Sequence, residues 1–335
     1  MSIVSMTKYV LKLQPLLTFR LRKTCNELYR ASFISAALSE GLYDILCDGP
    51  VSLENIQKAM GLDFHRDGLE AWLDFGVSLG ELRKNLHGYE LKGVLSKQLA
   101  KPSNDTWQAY LQARADIFHE YIMKTPTFLR RKMLPELSEA YGELFARSSR
   151  TVEPILLDVV DSIIPQHGPL KVLEVGCGSG VYIDRACRRN RDISVVGIEL
   201  HNKTADFARS NMKTWGMDDR VSIEAVDVRN YQNDGAFDLV TFHNLIYYFP
   251  LGERFNLLAH IRGLLKPGGK LVISTLCQFN DPGISTMNLW SSMTDGCGPL
   301  PKRNEILELL RSTAFMKIQS KRLIPGYWLF TAHRD

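Results

Sequence analysis

The stretch "KVLEVGCGSGVYI", Lys171–Ile183, decides the fold of this chain. An apolar run containing one acid, Glu174, leads into three glycines, Gly176, Gly178 and Gly180, which alternate with small residues. A short apolar run, a glycine cluster and a helical segment predict a strand, a tight turn and a helix. Glycines at such a turn let a ligand approach backbone that a Cβ atom would block. A dinucleotide, a phosphate and an adenosyl sulfonium are the candidate ligands.

The spacing of the glycines separates these ligands. The dinucleotide fingerprint G-x-G-x-x-G needs a third glycine where this chain has Val181. A phosphate-binding P-loop needs a Lys-Ser or Lys-Thr pair after the glycines, and none follows. Glu174 stands two positions before the first glycine. A carboxylate there would repel a pyrophosphate, but it suits a ligand that carries an ammonium and a sulfonium group.

Further β-rich runs alternate with helical segments after this stretch, which predicts a parallel, doubly wound sheet. The runs are "ISVVGIEL", "VSIEAVD", "FDLVTFHN" and "KLVIST". Two strands around Pro325 and Gly326 are predicted to form a terminal hairpin. In such a sheet, ligands bind beyond the carboxyl ends of the strands.

Acids mark the ends of the second and third predicted strands. Glu199, followed by Leu200, stands 25 residues after Glu174 and can accept both hydroxyls of a ribose. Asp227 can accept from the N6 amino group of an adenine, with Val228 against the ring. Singly, each acid could be no more than a strand-end carboxylate. The ordered set describes S-adenosylmethionine, which becomes S-adenosylhomocysteine on methyl transfer.

The part of the chain before this sheet is predicted to be helical. Ser52 is a predicted helix start and Gly61 a helix stop, and a turn at His87-Gly88 predicts a small β-hairpin. Helix, turn, helix and hairpin form a winged-helix pattern, which in some proteins reads DNA. The candidate reading helix holds Arg66 among four carboxylates, so we expect no nucleic-acid partner.

Composition supports an ordinary cytoplasmic chain. It has 335 residues, 45% of them hydrophobic, and a formal net charge of +4, too small to indicate nucleic-acid binding. No apolar run reaches the roughly 20 residues that span a membrane, so we expect no membrane partner. The six cysteines form no metal-binding cluster. The basic N-terminal segment before Glu27 is interpreted as an amphipathic helix, with a mitochondrial transit peptide as the alternative.

Residues 171–335 resemble class I S-adenosylmethionine-dependent methyltransferases, whose later signature stands here as "LLKPGGKLVIS", Leu264–Ser274. With the helical front part, the whole chain resembles the small-molecule O-methyltransferase superfamily. The resemblance implies an α/β fold: a Rossmann-like catalytic domain over residues 166–335 and an α-helical winged-helix dimerisation domain over 1–105. Between them, a helical connector over 106–165 would line the substrate pocket. The implied assembly is a homodimer.

The chain departs from the phenol O-methyltransferases of that superfamily at the general base. Where they carry a histidine after the fourth strand, this chain has Tyr247, followed by Tyr248 and Phe249. The nearest histidine, His243, ends the strand and is predicted to contact the cofactor or the substrate. A phenol must lose its proton during transfer, whereas a thioether needs no base.

The segments "AYGELFARSSRTVEPIL" and "FHNLIYYFP" are also similar to 2-oxo-acid C-methyltransferases, some of which use a metal held by two histidines. His243 has no such partner in the sequence, so we predict a site without metal. A carboxylate-bearing acceptor would need arginines, for which Arg114 and Arg147 are candidates. Both could instead form surface ion pairs. Tyr121 is a further candidate lining residue, together with Tyr247 and Tyr248, although each tyrosine could simply pack in the core.

The sequence therefore predicts a methyltransferase acting on a small carboxylate-bearing acid, by S-methylation of a thioether or C-methylation of a 2-oxo acid. His243 and Tyr247 are the predicted catalytic residues. O-methylation of a phenolic or hydroxyl natural product is the alternative. From another class, a non-catalytic winged-helix regulator that senses S-adenosylmethionine also stays open.

Overall fold

The computed structural model describes residues 15–137 and 141–335, and these form two compact units. The first contains the described residues up to Glu120 and residues 141–151. The second contains residues 121–137 and 152–335. The basic segment before residue 15 lies outside the described residues. Among the described helices, none combines the length and the apolarity that crossing a bilayer requires.

The described part of the first half of the chain is mostly helical and contains one hairpin. Its helices are α1 (Pro15–Ser39), α2 (Leu42–Leu46), α3 (Leu53–Ala59), α4 (Arg66–Ser78), α5 (Val94–Leu99), α6 (Asp105–Gln112), α7 (His119–Phe128), α8 (Gly142–Ser149) and α9 (Glu153–Ile163). The hairpin pairs β1 (Leu82–Asn85) with β2 (Gly88–Leu91) in antiparallel register. A six-residue π-helical segment, Ala113–Phe118, separates α6 from α7.

The first unit is built around one apolar core, to which α1, α2, α4 and the hairpin contribute. Phe33, Leu42 and Leu73 are fully buried there because the apolar positions of each helix recur on one face. The Ser52 hydroxyl accepts from the backbone N–H of Asn55 and caps α3, as predicted. Gly61 follows the end of α3 in the left-handed region, also as predicted.

A seven-stranded sheet forms the second unit, in the order β5-β4-β3-β6-β7-β9-β8. Its strands are β3 (Leu170–Val175), β4 (Ile193–Glu199), β5 (Val221–Ala225), β6 (Phe237–His243), β7 (Leu265–Leu276), β8 (Met316–Ile324) and β9 (Tyr327–His333). The helices between them are α10 (Val181–Arg189), α11 (Asn202–Thr214), α12 (Arg254–Leu264), α13 (Pro282–Ser292) and α14 (Arg303–Ser312). The first five strands are parallel, and β9 runs antiparallel to both of its neighbours.

Strand alternation places the core on both faces of this sheet. Val172 and Val195 share one face, where they pack with residues of α9, α10 and α11. Leu173, next in sequence, points to the opposite face and is fully buried. Because the chain order reverses between β3 and β6, a crevice is expected at the carboxyl ends of these strands.

The predicted α/β, Rossmann-like architecture with an N-terminal helical region is confirmed. The five parallel strands and both hairpins stand where the sequence placed them. The winged-helix arrangement stays an interpretation. The connector predicted over 106–165 supplies residues to both compact units, and its role at a substrate pocket also stays a prediction.

Candidate functional site

Backbone hydrogen bonds fix the glycine loop at the carboxyl end of β3. The amides of Gly176 and Cys177 both donate to the carbonyl of Ile198 on the neighbouring strand, at 2.8 and 3.1 Å. Gly176, Gly178 and Gly180 all have positive φ, of 67°, 54° and 82°. A Cβ atom built on Gly178 would meet nothing within 4 Å. The loop therefore leaves open space at Gly178 of the kind a ligand needs.

The other two glycines serve packing. A Cβ on Gly176 would lie 2.9 Å from the Leu245 side chain, and one on Gly180 would lie 2.4 Å from Cε of Met212. Helix α11 also holds the loop directly, because the Asn211 side-chain amide donates to the carbonyl of Ser179 at 3.0 Å. Only the middle glycine opens toward a ligand.

Glu199 joins the glycine loop to the end of β4. Its Oε2 accepts from the Gly178 amide at 3.1 Å, and its Oε1 accepts from the amides of Leu200 and His201 at 3.0 and 3.3 Å. The half-buried carboxylate is therefore fixed beside the loop by backbone donors. Its remaining lone pairs can accept ribose hydroxyls, which stays a prediction. Leu200 is exposed next to it.

Asp227 follows β5 and begins a short 3-10 turn, Val228–Asn230, by accepting from the Arg229 amide at 2.9 Å. The Arg229 guanidinium also binds both carboxylate oxygens, with its Nη2 2.6 Å from Oδ2. Burial raises the pKa of Asp227, but the Arg229 hydrogen bonds outweigh it and hold the pKa below its usual value. Sequence reasoning missed Arg229, which also binds Glu253 at 2.9 Å. The adenine role of Asp227 stays a prediction, with buried Val228 beside it.

Glu174 is buried in the middle of the sheet, between Gly197 on β4 and Thr241 on β6. Burial raises the pKa of its carboxyl group to about 8, while a hydrogen bond from Thr241 acts in the opposite direction. The group is therefore mostly uncharged at neutral pH. A nearby cationic ligand would favour ionisation of this carboxyl group.

His243 ends β6 as a buried, neutral imidazole. Its Nδ1 lies 2.6 Å from Oγ of Ser274, the residue directly opposite on β7. Its Nε2 is buried and has no hydrogen-bond partner among the described residues. Desolvation lowers the pKa of the ring to about 4. The Tyr182 ring meets it edge-on, with centroids 5.5 Å apart.

The aromatic segment after β6 forms an apolar wall. Tyr247 and Tyr248 lie on a 3-10 turn with ring centroids 4.9 Å apart, and Tyr248 meets the buried Trp290 edge-on at 5.9 Å. Burial raises the pKa of both phenols well above the ordinary value. At neutral pH, Tyr247 is therefore a neutral phenol that cannot replace a histidine as a general base.

The predicted substrate residues fall in both units. Tyr121, in the second, is buried with its hydroxyl 3.2 Å from that of Thr294. Arg114 and Arg147 belong to the first. Arg114 lies over the Tyr110 ring, 3.2 Å from its centroid, and Arg147 binds Asp105 at 2.5 Å. Both arginines are engaged within their own unit.

No group of three metal-ligating side chains occurs among residues 15–137 and 141–335. Sequence reasoning also missed Ser274, the polar partner of His243. Ser274 could have been found from the register, because it ends the strand beside His243 in the predicted order.

A family model described as "Methyltransferase domain" matches residues 172–269. A ubiquinone biosynthesis O-methyltransferase of Paracidovorax citrulli is 29% identical over 147 residues, 42% of this chain and 58% of that protein. A 27-O-demethylrifamycin SV methyltransferase of Amycolatopsis mediterranei is 28% identical, over 35% of this chain and 43% of that protein. The chain thus spans about half the length of these curated relatives.

The chain carries an S-adenosylmethionine-dependent methyltransferase domain. The structure of the mitomycin 7-O-methyltransferase MmcR has the same fold as this methyltransferase, with a TM-score of 0.80 at 17% identity over 97% of this chain and 99% of that one. Human N-acetylserotonin methyltransferase in complex with S-adenosylmethionine has a TM-score of 0.70 at 16% identity, over 95% and 97% of the two chains.

Three features of the methyltransferase domain are compatible with the predicted cofactor site. Open space lies at Gly178, a fixed carboxylate stands beside it at Glu199, and a partnerless polar atom, Nε2 of His243, ends β6. The glycine loop and Glu199 would hold the adenosyl part, and Glu174 supplies a group that ionises beside a cation. That these residues bind a sulfonium and accept a proton stays a prediction.

Proposed function

We propose that the whole chain transfers a methyl group from S-adenosylmethionine to a hydroxyl oxygen of a small molecule. The observation that carries this proposal is the neutral His243, whose buried Nε2 has no partner in the described structure. A buried polar nitrogen without a partner is costly, so a ligand group that hydrogen-bonds to it gains affinity there. The name of the Paracidovorax citrulli relative, an O-methyltransferase, supports an oxygen acceptor.

The cofactor, when bound, supplies a methyl group on a positively charged sulfur. The chain's own residues then have two tasks. Nε2 of His243 accepts a hydrogen bond from the acceptor hydroxyl and takes its proton as the new bond forms. A base with a pKa of about 4 is sufficient late in the transfer, because the oxygen becomes strongly acidic as it gains the methyl group. Tyr247 and Tyr248 exclude water from this step.

One observation favours the second candidate, S- or C-methylation of a carboxylate-bearing acid. Tyr247 stands where the resembling phenol enzymes carry their base, and its phenol cannot act as one at neutral pH. A sulfur nucleophile has no proton to lose, and positioning alone can lower a barrier by roughly 7–11 kcal/mol. Against it, Arg147, a proposed carboxylate ligand, is already bound to Asp105.

An acceptor panel decides between these proposals. Phenols, aliphatic alcohols, thioether acids and 2-oxo acids are incubated with the full chain and S-adenosylmethionine, and S-adenosylhomocysteine release is followed. Mass spectrometry and NMR then locate the methyl group. We expect turnover with a hydroxyl compound and an O-methyl product. Turnover confined to thioethers or 2-oxo acids would replace the proposal by the second candidate. Binding without turnover on any acceptor would favour a regulator.

We also propose that the first unit forms a homodimer. Large apolar side chains are exposed along α1, with Leu16 and Phe19 at 65% and 67% exposure. A monomer rarely leaves such a row in water, and a second copy of the same helix would cover it. We place the protein in the cytoplasm because all six cysteines are free thiols.

A further inference from the structure

Asn244 follows β6 directly after His243 and has an unusual backbone conformation. Its φ is 53°, in the left-handed region that residues other than glycine seldom adopt, and its amide donates to the Ser274 carbonyl at 2.8 Å. Asparagine is one of the few side chains that tolerate this conformation. Such geometry is concentrated at functional sites, so the Asn244 side chain is a candidate for binding a ligand.

One end of the Asn244 side-chain amide is held by the fold. The Tyr327 hydroxyl, at the start of β9, donates to Oδ1 of Asn244 at 2.7 Å. Tyr327 is completely buried, and a buried hydroxyl proton that lacks an acceptor is costly. If the amide were turned round, this acceptor would be taken away from the phenol. The bond therefore fixes which end of the amide faces Tyr327.

The other end of the amide, Nδ2, has no partner in the fold. It makes no hydrogen bond with any residue that the structure describes. Asn244 is only half-buried, and Nδ2 is not among the buried polar atoms that lack a partner, so it is open to solvent. An N–H group that the fold orients and leaves unused can donate to a ligand.

The order of the strands places this donor beside the methyl acceptor. The predicted cofactor residues follow β3, β4 and β5, which form one half of the sheet. Asn244 follows β6 and Tyr327 begins β9, and both of these strands belong to the other half. Ligands of such sheets lie beyond the carboxyl ends of the strands, at the point where the chain order reverses. With the cofactor over the first half, the acceptor lies over the second half, next to Asn244.

We propose that Asn244 determines acceptor specificity by donating a hydrogen bond from Nδ2 to a second oxygen atom of the acceptor, and that Tyr327 is the positioning residue that orients this donor. The inference rests on the proposed function, in which His243 binds the hydroxyl that is methylated. Because residues 243 and 244 are neighbours, the second oxygen must lie close to that hydroxyl. The favoured acceptors are therefore compounds in which an ether or carbonyl oxygen stands next to the hydroxyl group.

The first test detects the hydrogen bond without any turnover. The full chain is labelled with ¹⁵N-asparagine and saturated with S-adenosylhomocysteine, and the side-chain amide signals of Asn244 are assigned with Asn244→Asp. Two matched pairs of probes are added, 2-methoxyphenol with 2-ethylphenol and 2-methoxyethanol with 1-butanol. The members of each pair have nearly the same shape, and only the first has the second oxygen. We expect at least one oxygenated member to shift the Asn244 amide signals and its carbon analogue to leave them in place.

The second test measures selectivity, the ratio of kcat/KM for the oxygenated member of a pair to that for its carbon analogue. Asn244→Asp keeps the oxygen that accepts from Tyr327 and tolerates the left-handed conformation, but it has no N–H group to donate. Selectivity should therefore fall roughly tenfold or more, because the second oxygen loses its hydrogen bond. Affinity for S-adenosylhomocysteine, measured by calorimetry, should stay unchanged.

Tyr327→Phe tests the positioning role. Without the phenol the amide can turn round, so selectivity should fall roughly fivefold, the effect of one hydrogen bond. In a chain that already carries Asn244→Asp, the same change should have no further effect on selectivity. A merely structural role of Tyr327 would instead lower kcat/KM equally for both members of a pair. Tyr231→Phe is the matched control, because Tyr231 is a buried tyrosine of the same unit whose hydroxyl binds Asn233.

Thermal melting shows whether each variant is folded. Asn244 signals that respond to neither oxygenated probe, or unchanged selectivity in a folded Asn244→Asp variant, overturn the proposal. Weakened binding of S-adenosylhomocysteine to Asn244→Asp would also overturn it, because Asn244 would then serve the cofactor. If no hydroxyl compound is methylated but the Asn244 signals respond to the oxygenated probes, the proposed function fails and the binding role of Asn244 stands.

Discussion

Gly178→Ala should fold but bind its cofactor more weakly. The φ of 54° at Gly178 costs an alanine about 1–2 kcal/mol of stability relative to glycine. No atom of the chain stands within 4 Å of the added methyl group, so steric clash adds nothing in the unliganded protein. In the complex, the methyl group occupies ligand space. Overpacking of this size costs about 1–3 kcal/mol, or roughly tenfold to a hundredfold in affinity. The larger Gly178→Val should abolish binding.

Gly216→Ala provides the matched control. Gly216 follows the far end of α11, has a φ of 67°, and also has nothing within 4 Å of its Cβ position. Both alanine variants should therefore lose similar stability in thermal melts. Calorimetry with S-adenosylhomocysteine should show weakened binding only for Gly178→Ala. Equal affinity in the two variants would refute the placement of the cofactor at the glycine loop.

The other predictions concern charge, metal and assembly. The pKa of Glu174 is raised from 4.5 to about 8, so its contribution to the stability of the fold is complete below pH 4.5 and is lost as the pH rises to about 8. If the cofactor binds the ionised form of Glu174, calorimetry should show an affinity that rises about tenfold per pH unit from pH 6 to 7.5. Glu174→Gln should remove this dependence on pH. His243→Ala should lower kcat about a hundredfold. Dialysis of the native chain against a chelator should leave its kcat unchanged. Turnover that is lost on dialysis and restored by zinc or ferrous iron would contradict the metal-free site. Light scattering at micromolar concentration should report a dimer. Leu16→Asp and Phe19→Asp should dissociate it, whereas Leu86→Asp, at an exposed position of the hairpin, should not. A monomeric native chain would contradict the dimer.

The sheet could be predicted from the sequence because each strand is a short apolar run that ends in a recognisable turn. The glycines after β3 and the carboxylates after β4 and β5 mark one edge, and parallel strands bring that edge together. The hairpin at Gly88 was equally predictable, because the His87-Gly88 turn stands between two short runs of alternating apolar residues. The division into two units was not, because helices of similar amphipathic pattern serve both.

The electrostatics of the site were harder to predict, because they depend on burial that no motif records. The motif treats Glu174 as a carboxylate, but desolvation keeps it largely protonated until a cation arrives. It treats Asp227 as a free acceptor, but Arg229, two residues away, binds both of its oxygens. Tyr327 lies 83 residues after Asn244, and its hydroxyl reaches the Asn244 side chain because β9 pairs with β7.

These features together give a site with little fixed charge at neutral pH. Glu174 is mostly protonated, His243 is neutral, Arg229 neutralises Asp227, and Glu199 is bound by three backbone amides. On the proposed function, a sulfonium would be balanced by Glu174, which ionises beside a cation, and otherwise surrounded by groups of little net charge, which stabilise it less than water does. Methyl transfer disperses the positive charge of the sulfonium. The transition state is therefore destabilised less by these surroundings, relative to water, than the ground state is. On the same proposal, the neutral lone pair of His243 accepts the hydroxyl proton without a second ion having to enter the site. A site lined with charged groups would stabilise the reactants more and the transition state less.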